Sequence, residues 1–397
     1  MIHLQSSSFG SLLKRLREDR SLSQKDLAIP GLSRSLISLY ECGRVLPTYD
    51  HIRIIAQRLG VSPEVFFGGA SDAVQNSLCR LMAHATKLEE QGLFPDAADL
   101  WDAARSIVMT YDLTIWRSIT FSRFGLALTS AGQWERAFDV LLNVMANDDI
   151  QNDSDTKYFI LRSLGECSRQ LGRPSEASTF FQLARMNVSP SDERWIRSEI
   201  NIGSSLLLAG RYTTAVQHYS SAVQVARESG HGSLEAWALL GLTSCLMQQE
   251  ILETCEAYLI RAQHLGDVLD DRRIQAGVVQ NYATWFRLTE RWSEVKDLLA
   301  HLDEFTEDLV SATLLEEKLL LAAHESEWTT CHELLNKAIK LPILGPERGR
   351  IWLAWAKVCE ARGDEGEKLR AMDHAREAFL GTGRHHDISR LGARTSA

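Results

Sequence analysis

The sequence lacks any apolar run near the roughly 18 residues that a membrane span needs, and its first residues, MIHLQSSSFG, are too polar for a secretory leader. It lacks a CxxC pair. Its seven cysteines, at 42, 79, 167, 245, 255, 331 and 359, are odd in number and scattered. That argues against a disulfide framework or a zinc site and fits reduced core thiols in a cytoplasmic protein. GxxxxGK[ST], GxGxxG after a strand, HExxH and GxSxG are all missing, so nothing cradles a nucleotide, binds catalytic zinc or presents a serine nucleophile. The 12 histidines are dispersed, and the one adjacent pair, His385-His386, sits in a polar tail and reads as solvated. The doublets Glu89-Glu90 and Glu316-Glu317 lie on helical patterns and read as solvated faces. The expectation is no enzyme, no cofactor, no metal and no membrane partner.

What is present is a chain of 397 residues, enough for two or three domains with ample core. Its charge is uneven. Residues 1–70 carry nine Lys and Arg against six Asp and Glu; the remainder carries 34 against 46, for a whole-chain net charge of −9. A mildly basic head on an acidic body suits a protein whose head alone touches nucleic acid.

The head reads as five short helices. Phe9, Leu12, Leu13 and Leu16 recur at helical spacing in Phe9–Arg20. Ser23 can cap a helix from Gln24 to Ala28 by taking an orphan N–H. Ile29-Pro30-Gly31-Leu32 breaks that helix, and Ser33 caps a second one, Arg34 to Tyr40. Ile37 and Tyr40 face the core with Leu27, while Arg34, Ser35 and Ser38 face away. A helix offering Arg and Ser at its N-terminal end has the form that enters a DNA major groove. Ile52, Ile55, Ala56 and Leu59 share one face of the next helix, and Ser62-Pro63 opens a last short one holding Val65 and Phe66.

From about residue 72 a repeat begins. Turn marks fall at Gly92, Gly132, Gly172, Gly210, Glu250, Glu290, Ser326 and Gly363, spaced 36 to 40 residues apart. Five residues after each comes Ala97, Ala137, Ala177, Ala215, Cys255, Val295, Cys331 or Lys368, small or apolar in all but the last. Nine after comes Trp101, Leu141, Phe181, Tyr219, Leu259, Leu299, Leu335 or Met372, all large. Small residues let paired helices cross and large ones fill the groove, so the pattern predicts eight helical hairpins. Gly125, Gly165 and Gly203, seven before their marks, allow close approach.

These two parts each resemble a known family. Leu22-Ser23-Gln24, Leu27-Ala28, Ser33-Arg34-Ser35, Ile37-Ser38, Glu41, Gly43, Pro47, Ile55-Ala56, Leu59-Gly60-Val61 and Phe66 resemble the Cro/repressor-type (XRE) helix-turn-helix. The segment from Ala28 to Ser33 is one residue shorter than in many phage repressors. It is similar to the turn of the Rap–Rgg–NprR–PlcR–PrgX (RRNPP) group of peptide-sensing regulators. The repeats resemble the tetratricopeptide repeat, stretched to about 40 residues. The resemblance implies an all-α chain. An N-terminal five-helix helix-turn-helix domain spans 1–68 and a Gly-rich joint spans 69–71. A right-handed tetratricopeptide-like superhelix for ligand binding and dimerisation spans 72–383, and a tail spans 384–397. It implies a cytoplasmic, quorum-sensing-type transcription regulator, a homodimer whose binding to a double-stranded DNA operator is switched by a short signalling peptide.

Candidate DNA-binding residues are Gln24, Lys25, Ser33, Arg34, Ser35, Ser38 and Arg44, with Tyr49 flanking. Arg34 is placed to read a base edge, and Gln24 and Lys25 to hold a phosphate. Leu36 and Leu39 look exposed, able to meet thymine methyls or a partner. In tetratricopeptide repeats the first helix of each hairpin lines the concave side. That implies peptide contacts from Arg123, Arg162, Glu166, Arg169, Arg197, Asn201, Ser204, Gln280, Asn281, Thr284 and Arg287. Asn201 and Asn281 occupy equivalent places, where an amide can clamp a peptide backbone or bond a neighbouring helix. The arginines favour a carboxylate by bidentate pairing, or pair with Glu166, Glu199 or Glu290 inside the scaffold. A peptide would shift the population of superhelix pitches and swing two heads about the Gly68-Gly69 joint. Two other readings stay open: a scaffold that binds and inhibits a protein such as a response regulator, and a constitutive repressor whose repeats only oligomerise.

Overall fold

All eight turn marks adopt the left-handed backbone conformation, with φ between 60° and 75°. Five are glycine; Glu250, Glu290 and Ser326 take the same conformation despite their side chains. The residue after each mark donates its N–H to the carbonyl five residues earlier, at 2.8 to 3.0 Å, as in Arg291 to Phe286. This bond closes a helix end and turns the chain back on itself.

The structure, a computed structural model, describes residues 9–68, 70–146, 154–190, 192–302, 312–341 and 345–380, without the side chains of 301, 302, 345 and 346. Gly69 of the joint, the tail 384–397 and the His385-His386 pair lie outside the described residues. The chain forms two compact units, Met1–Cys167 and Ser168–Ala397.

The first unit opens with α1 (Phe9–Glu18), α2 (Gln24–Leu27), α3 (Arg34–Glu41), α4 (Tyr49–Leu59) and a 3-10 turn, Pro63–Phe66. Leu12, Leu13, Leu27, Leu32, Ile37, Ile52, Ile55 and Phe66 form the buried core of this head. At Gly10 a Cβ would lie 2.5 Å from the Glu41 carbonyl oxygen, so glycine there lets α1 cross the carboxyl end of α3. Arg17 donates from Nε to Glu41 Oε1 at 2.5 Å and from Nη2 to Oε2 at 2.9 Å, fixing the same crossing. Ser33 accepts the Leu36 N–H as expected. Ser23 caps α2 in a capping box with Asp26, whose carboxylate accepts both the Ser23 N–H and its hydroxyl, at 2.7 and 2.6 Å.

The unit continues with α5 (Asp72–Glu90), α6 (Phe94–Thr110), α7 (Thr114–Ser130), α8 (Trp134–Met145) and α9 (Ser154–Gln170), which runs past its end. The head does not hang from the joint at 69–71. Trp116 of α7 is fully buried; its ring stacks on Phe9 and Phe67, and its indole N–H donates to the Phe66 carbonyl at 2.8 Å. Side-chain contacts, which a count of linker glycines does not include, hold the head on the first hairpins.

The second unit holds α10 (Pro174–Arg185), α11 (Glu193–Leu208), α12 (Tyr212–Glu228), α13 (Gly232–Gln248), α14 (Cys255–Val268) and α15 (Arg272–Leu288). It ends with α16 (Trp292–Leu302), α17 (Ala312–His324), α18 (Trp328–Ala338), α19 (Gly345–Arg362) and α20 (Glu365–Phe379). From α11 onward these pair as helical hairpins, and the small and large positions of the repeat are buried together: Ala215 with Tyr219, Cys255 with Leu259, Cys331 with Leu335. Tyr219 shows why the small positions matter. A Cβ at Gly203 would come within 2.9 Å of its ring, and one at Gly241 would clash with it on α13. Lys368, the polar exception, pairs with Glu360 and Glu365. Among the described residues there is no strand and no helix long and apolar enough to cross a membrane.

Candidate functional site

The first candidate surface is the N-terminal end of α3. Ser33, Arg34 and Ser35 are exposed there, at the positive end of the helix macrodipole. The Ser33 and Ser35 hydroxyls lie 2.9 Å apart. Ser38 is half-buried one turn on, and Lys25 is exposed on α2. Gln24 donates its amide to Glu41 Oε2 at 2.9 Å, joining the Arg17–Glu41 pair, so it ties α2 to the end of α3. Burial pushes the Glu41 carboxyl up, but hydrogen bonds from Arg17 and Gln24 outweigh it and hold it below its ordinary value. Leu36 and Leu39 are half-buried, less available than the sequence suggested. Arg44 is exposed and faces Asp155 of α9 at 3.5 Å.

Residues 8–66 match the family model described as a helix-turn-helix domain. The head is a helix-turn-helix domain. No curated protein matches the chain. Among solved structures it is similar to the apo form of RapI, with a TM-score of 0.61 and 10% identity over 94% of this chain and 99% of that chain. It is similar to a tetratricopeptide repeat protein from Parabacteroides merdae, with a TM-score of 0.54 and 13% identity over 70% of this chain and 99% of that chain. A Rap protein complexed with competence and sporulation factor gives a TM-score of 0.50 and 11% identity over 98% of this chain and 95% of that chain. At these identities the likeness is one of fold: a helix-turn-helix head followed by tetratricopeptide-like, Rap-like hairpins.

The second candidate surface is a cleft of about 230 Å³ in the second unit. Leu207 and Leu208 reach it from α11, Ser244, Met247 and Gln248 from α13, and Gln280, Asn281 and Thr284 from α15. Thr313 joins from α17, and Glu347 and Arg350 from α19. Every one of these is the first helix of its hairpin, which is where the repeat resemblance places a ligand wall. Arg350 donates from Nη2 to the Thr313 hydroxyl at 3.0 Å, and its Nε lies 3.9 Å from Glu316.

Of the residues expected on that wall, the cleft brings together only Gln280, Asn281 and Thr284. Asn281 is turned inward: its Nδ2 donates to the Leu240 carbonyl and the Thr243 hydroxyl, both at 2.8 Å, so it bonds the neighbouring helix. Asn201, its counterpart on α11, is half-buried and makes no side-chain hydrogen bond among the described residues. Ser204 bonds the Tyr219 hydroxyl at 2.9 Å. Arg162 is exposed, and Glu166 and Arg169 are half-buried, all on α9.

Three of the arginines expected on the wall are paired with carboxylates. Arg287 pairs with the buried Glu317 at 2.5 Å, Arg123 with Glu89 at 3.1 Å, and Arg197 with Glu193 one turn earlier. The same pairs correct the reading of the glutamate doublets: Glu317 is 1% exposed, and Glu89 also accepts the Trp101 indole N–H. Arg287 and Arg123 find their carboxylates on other helices, at separations a linear pattern does not reveal, because a charge withdrawn from water needs a partner. Ser244, Gln248, Thr313, Glu347 and Arg350 were missed. The repeat step held a signal for one of them: Ser244 lies one 40-residue repeat from both Ser204 and Thr284.

Proposed function

We propose that the protein is a sequence-specific DNA-binding regulator, acting as a homodimer, whose operator binding is switched by a short peptide in the cleft between α11 and α19. One observation carries the reading: an exposed Arg34 at the amino end of a helix-turn-helix recognition helix shares a chain with a cleft lined only by first helices of successive hairpins. One head reads one half-site, so a palindromic operator calls for two. At about 230 Å³ the cleft is smaller than a pocket for a drug-sized ligand, so it takes one end of a peptide while the rest lies along neighbouring first helices. Asn201 is the amide that clamps the peptide backbone. Arg350, in place of the paired Arg287, takes the peptide carboxylate through its Nη1 donors, which have no partner among the described residues.

The test enriches random DNA duplexes on the full-length protein, then challenges the enriched complex with a random heptapeptide library. Enrichment of a paired motif whose retention changes with peptide supports the reading. Enrichment with no peptide effect makes the chain a constitutive binder, and no enrichment removes the DNA function. Asn201→Ala should retain the motif and lose the peptide response.

A further inference from the structure

We propose that Trp116 is a positioning residue for operator recognition: by fixing the head on the first hairpins, it sets the half-site separation that paired heads accept. The inference rests on the reading of the chain as a dimeric DNA-binding protein.

The connection at residues 68–71, taken alone, would make the opposite prediction. Were its four residues unconstrained, they would span roughly 11 Å, or about three base-pair steps, and a head held only by them would accept several separations. Each added base pair displaces a half-site by about 3.4 Å and turns it by about a tenth of a helical turn. A head fixed on its scaffold cannot follow that displacement and rotation.

The contacts fix it from three directions. Phe9 comes from α1, the start of the head, and stacks on Trp116 with ring centroids 5.3 Å apart. Phe67 comes from the end of the head and stacks on the same ring at 5.4 Å. The Phe66 carbonyl accepts the indole N–H, so the ring is held in its own plane as well as on a face. Phe66, Phe67 and Trp116 are each 0% exposed, so the contact is a closed core. At the joint itself, the fully buried Gln75 of α5 donates its amide to the Ala70 carbonyl five residues earlier. Trp116 is not one of the positions the repeat pattern demands. Its bulk at that place is explained by the head.

The experiment uses the full-length protein. Cys42, at the carboxyl end of the recognition helix, is exposed while the other six cysteines are buried, so a maleimide dye reports on the head selectively. In the wild type the dye's anisotropy should decay with whole-body tumbling, and duplexes enriched from a random pool should carry half-sites at one separation. Trp116→Ala should add a fast component and enrich the same half-site motif over separations differing by about three base pairs. Trp116→Phe keeps the ring contacts and should keep the single separation. An unchanged separation in Trp116→Ala, or a fast component or scattered separations in the wild type, would overturn the proposal. If Trp116→Ala fails to fold, the wild-type anisotropy decides alone. Recovery of no motif, or of single half-sites only, removes the dimeric DNA reading and this inference with it, whereas paired motifs with relaxed spacing in the wild type remove only the role of Trp116.

Discussion

The Asn281 amide spans two neighbouring hairpins, donating at 2.8 Å to both the Leu240 carbonyl and the Thr243 hydroxyl on α13. Its counterpart Asn201, two repeat lengths earlier in the second unit, makes no side-chain hydrogen bond among the described residues. Two residues with the same place in the repeat therefore do different work. Asn281→Ala should destabilise the fold by about 1–3 kcal/mol, since it leaves buried partners unsatisfied. Asn201→Ala should change stability by no more than about 0.5 kcal/mol. Urea unfolding of both variants checks this. Equal midpoints for the two would mean the Asn281 bonds are not the ones that matter.

Arg287 and Glu317 form an ion pair that is 13% and 1% exposed, with Thr284 also donating to the carboxylate at 2.8 Å. Removing one partner leaves a buried charge, so Arg287→Ala should cost about 3–5 kcal/mol. Replacing both, with Met at 287 and Leu at 317, should recover most of that loss, because the desolvation cost of both charges disappears. The comparison of single and double variants by chemical denaturation separates the pair from simple loss of packing. A double variant as unstable as the single would contradict it.

The turns were the most legible feature. Eight marks spaced by 36 to 40 residues all fall on left-handed residues, because a helix must be closed by its own backbone and that requirement is local. The small and large positions follow from the same locality. What the sequence hid was non-local. Whether Arg123 faces a ligand or Glu89, 34 residues away, depends on how successive hairpins rotate. The docking of the head is of the same kind: the glycines at 68 and 69 are visible in the sequence, but the stacking of Phe9 and Phe67 on Trp116 is not.

Glu290 holds the left-handed conformation at φ 60° where the first four repeats use glycine. A side chain there costs about 1–2 kcal/mol, and glycine returns part of that as unfolded-state entropy. Glu290→Gly should therefore stabilise the protein by about 1 kcal/mol, while Gly132→Ala, at φ 75°, should lose a similar amount. The thermal midpoints of the two variants should move in opposite directions. A fall on Glu290→Gly would show that its side chain contributes a contact outweighing the strain.

Glu235 is buried on α13, with Arg261 at 3.0 Å and Arg227 at 2.9 Å. Burial pushes its carboxyl up, but hydrogen bonds from Arg261 and Arg227 outweigh burial and leave it below the ordinary glutamate value. The unfolded chain thus binds this proton more readily than the folded one. The stability it contributes is fully present above the unfolded value of about 4.3 and is lost as pH falls through the lower folded value. Glu235→Gln removes that dependence. The gap in unfolding free energy between wild type and variant should be constant near neutrality and shrink on acidification below about pH 4.3. A gap that widens on acidification would mean the folded value is raised.

Arg34 and Lys25 are both exposed on the head, but they should fail differently when removed. Under the proposed reading Arg34, which opens α3, reaches a base edge, so Arg34→Ala should cost about 1–3 kcal/mol of discrimination and relax the preference at one base of the enriched half-site. Under the same reading Lys25, on α2, meets only phosphate, so Lys25→Ala should weaken all sequences alike. It should also lower the slope of log affinity against log salt by about 0.9 per half-site. Neither change should alter the unfolding midpoint, because neither side chain belongs to the head core. Titrating the enriched duplex and a scrambled one across a salt series distinguishes the two. If Arg34→Ala lowered binding to both duplexes equally, α3 would be holding the backbone, and the bases would be read by another part of the head.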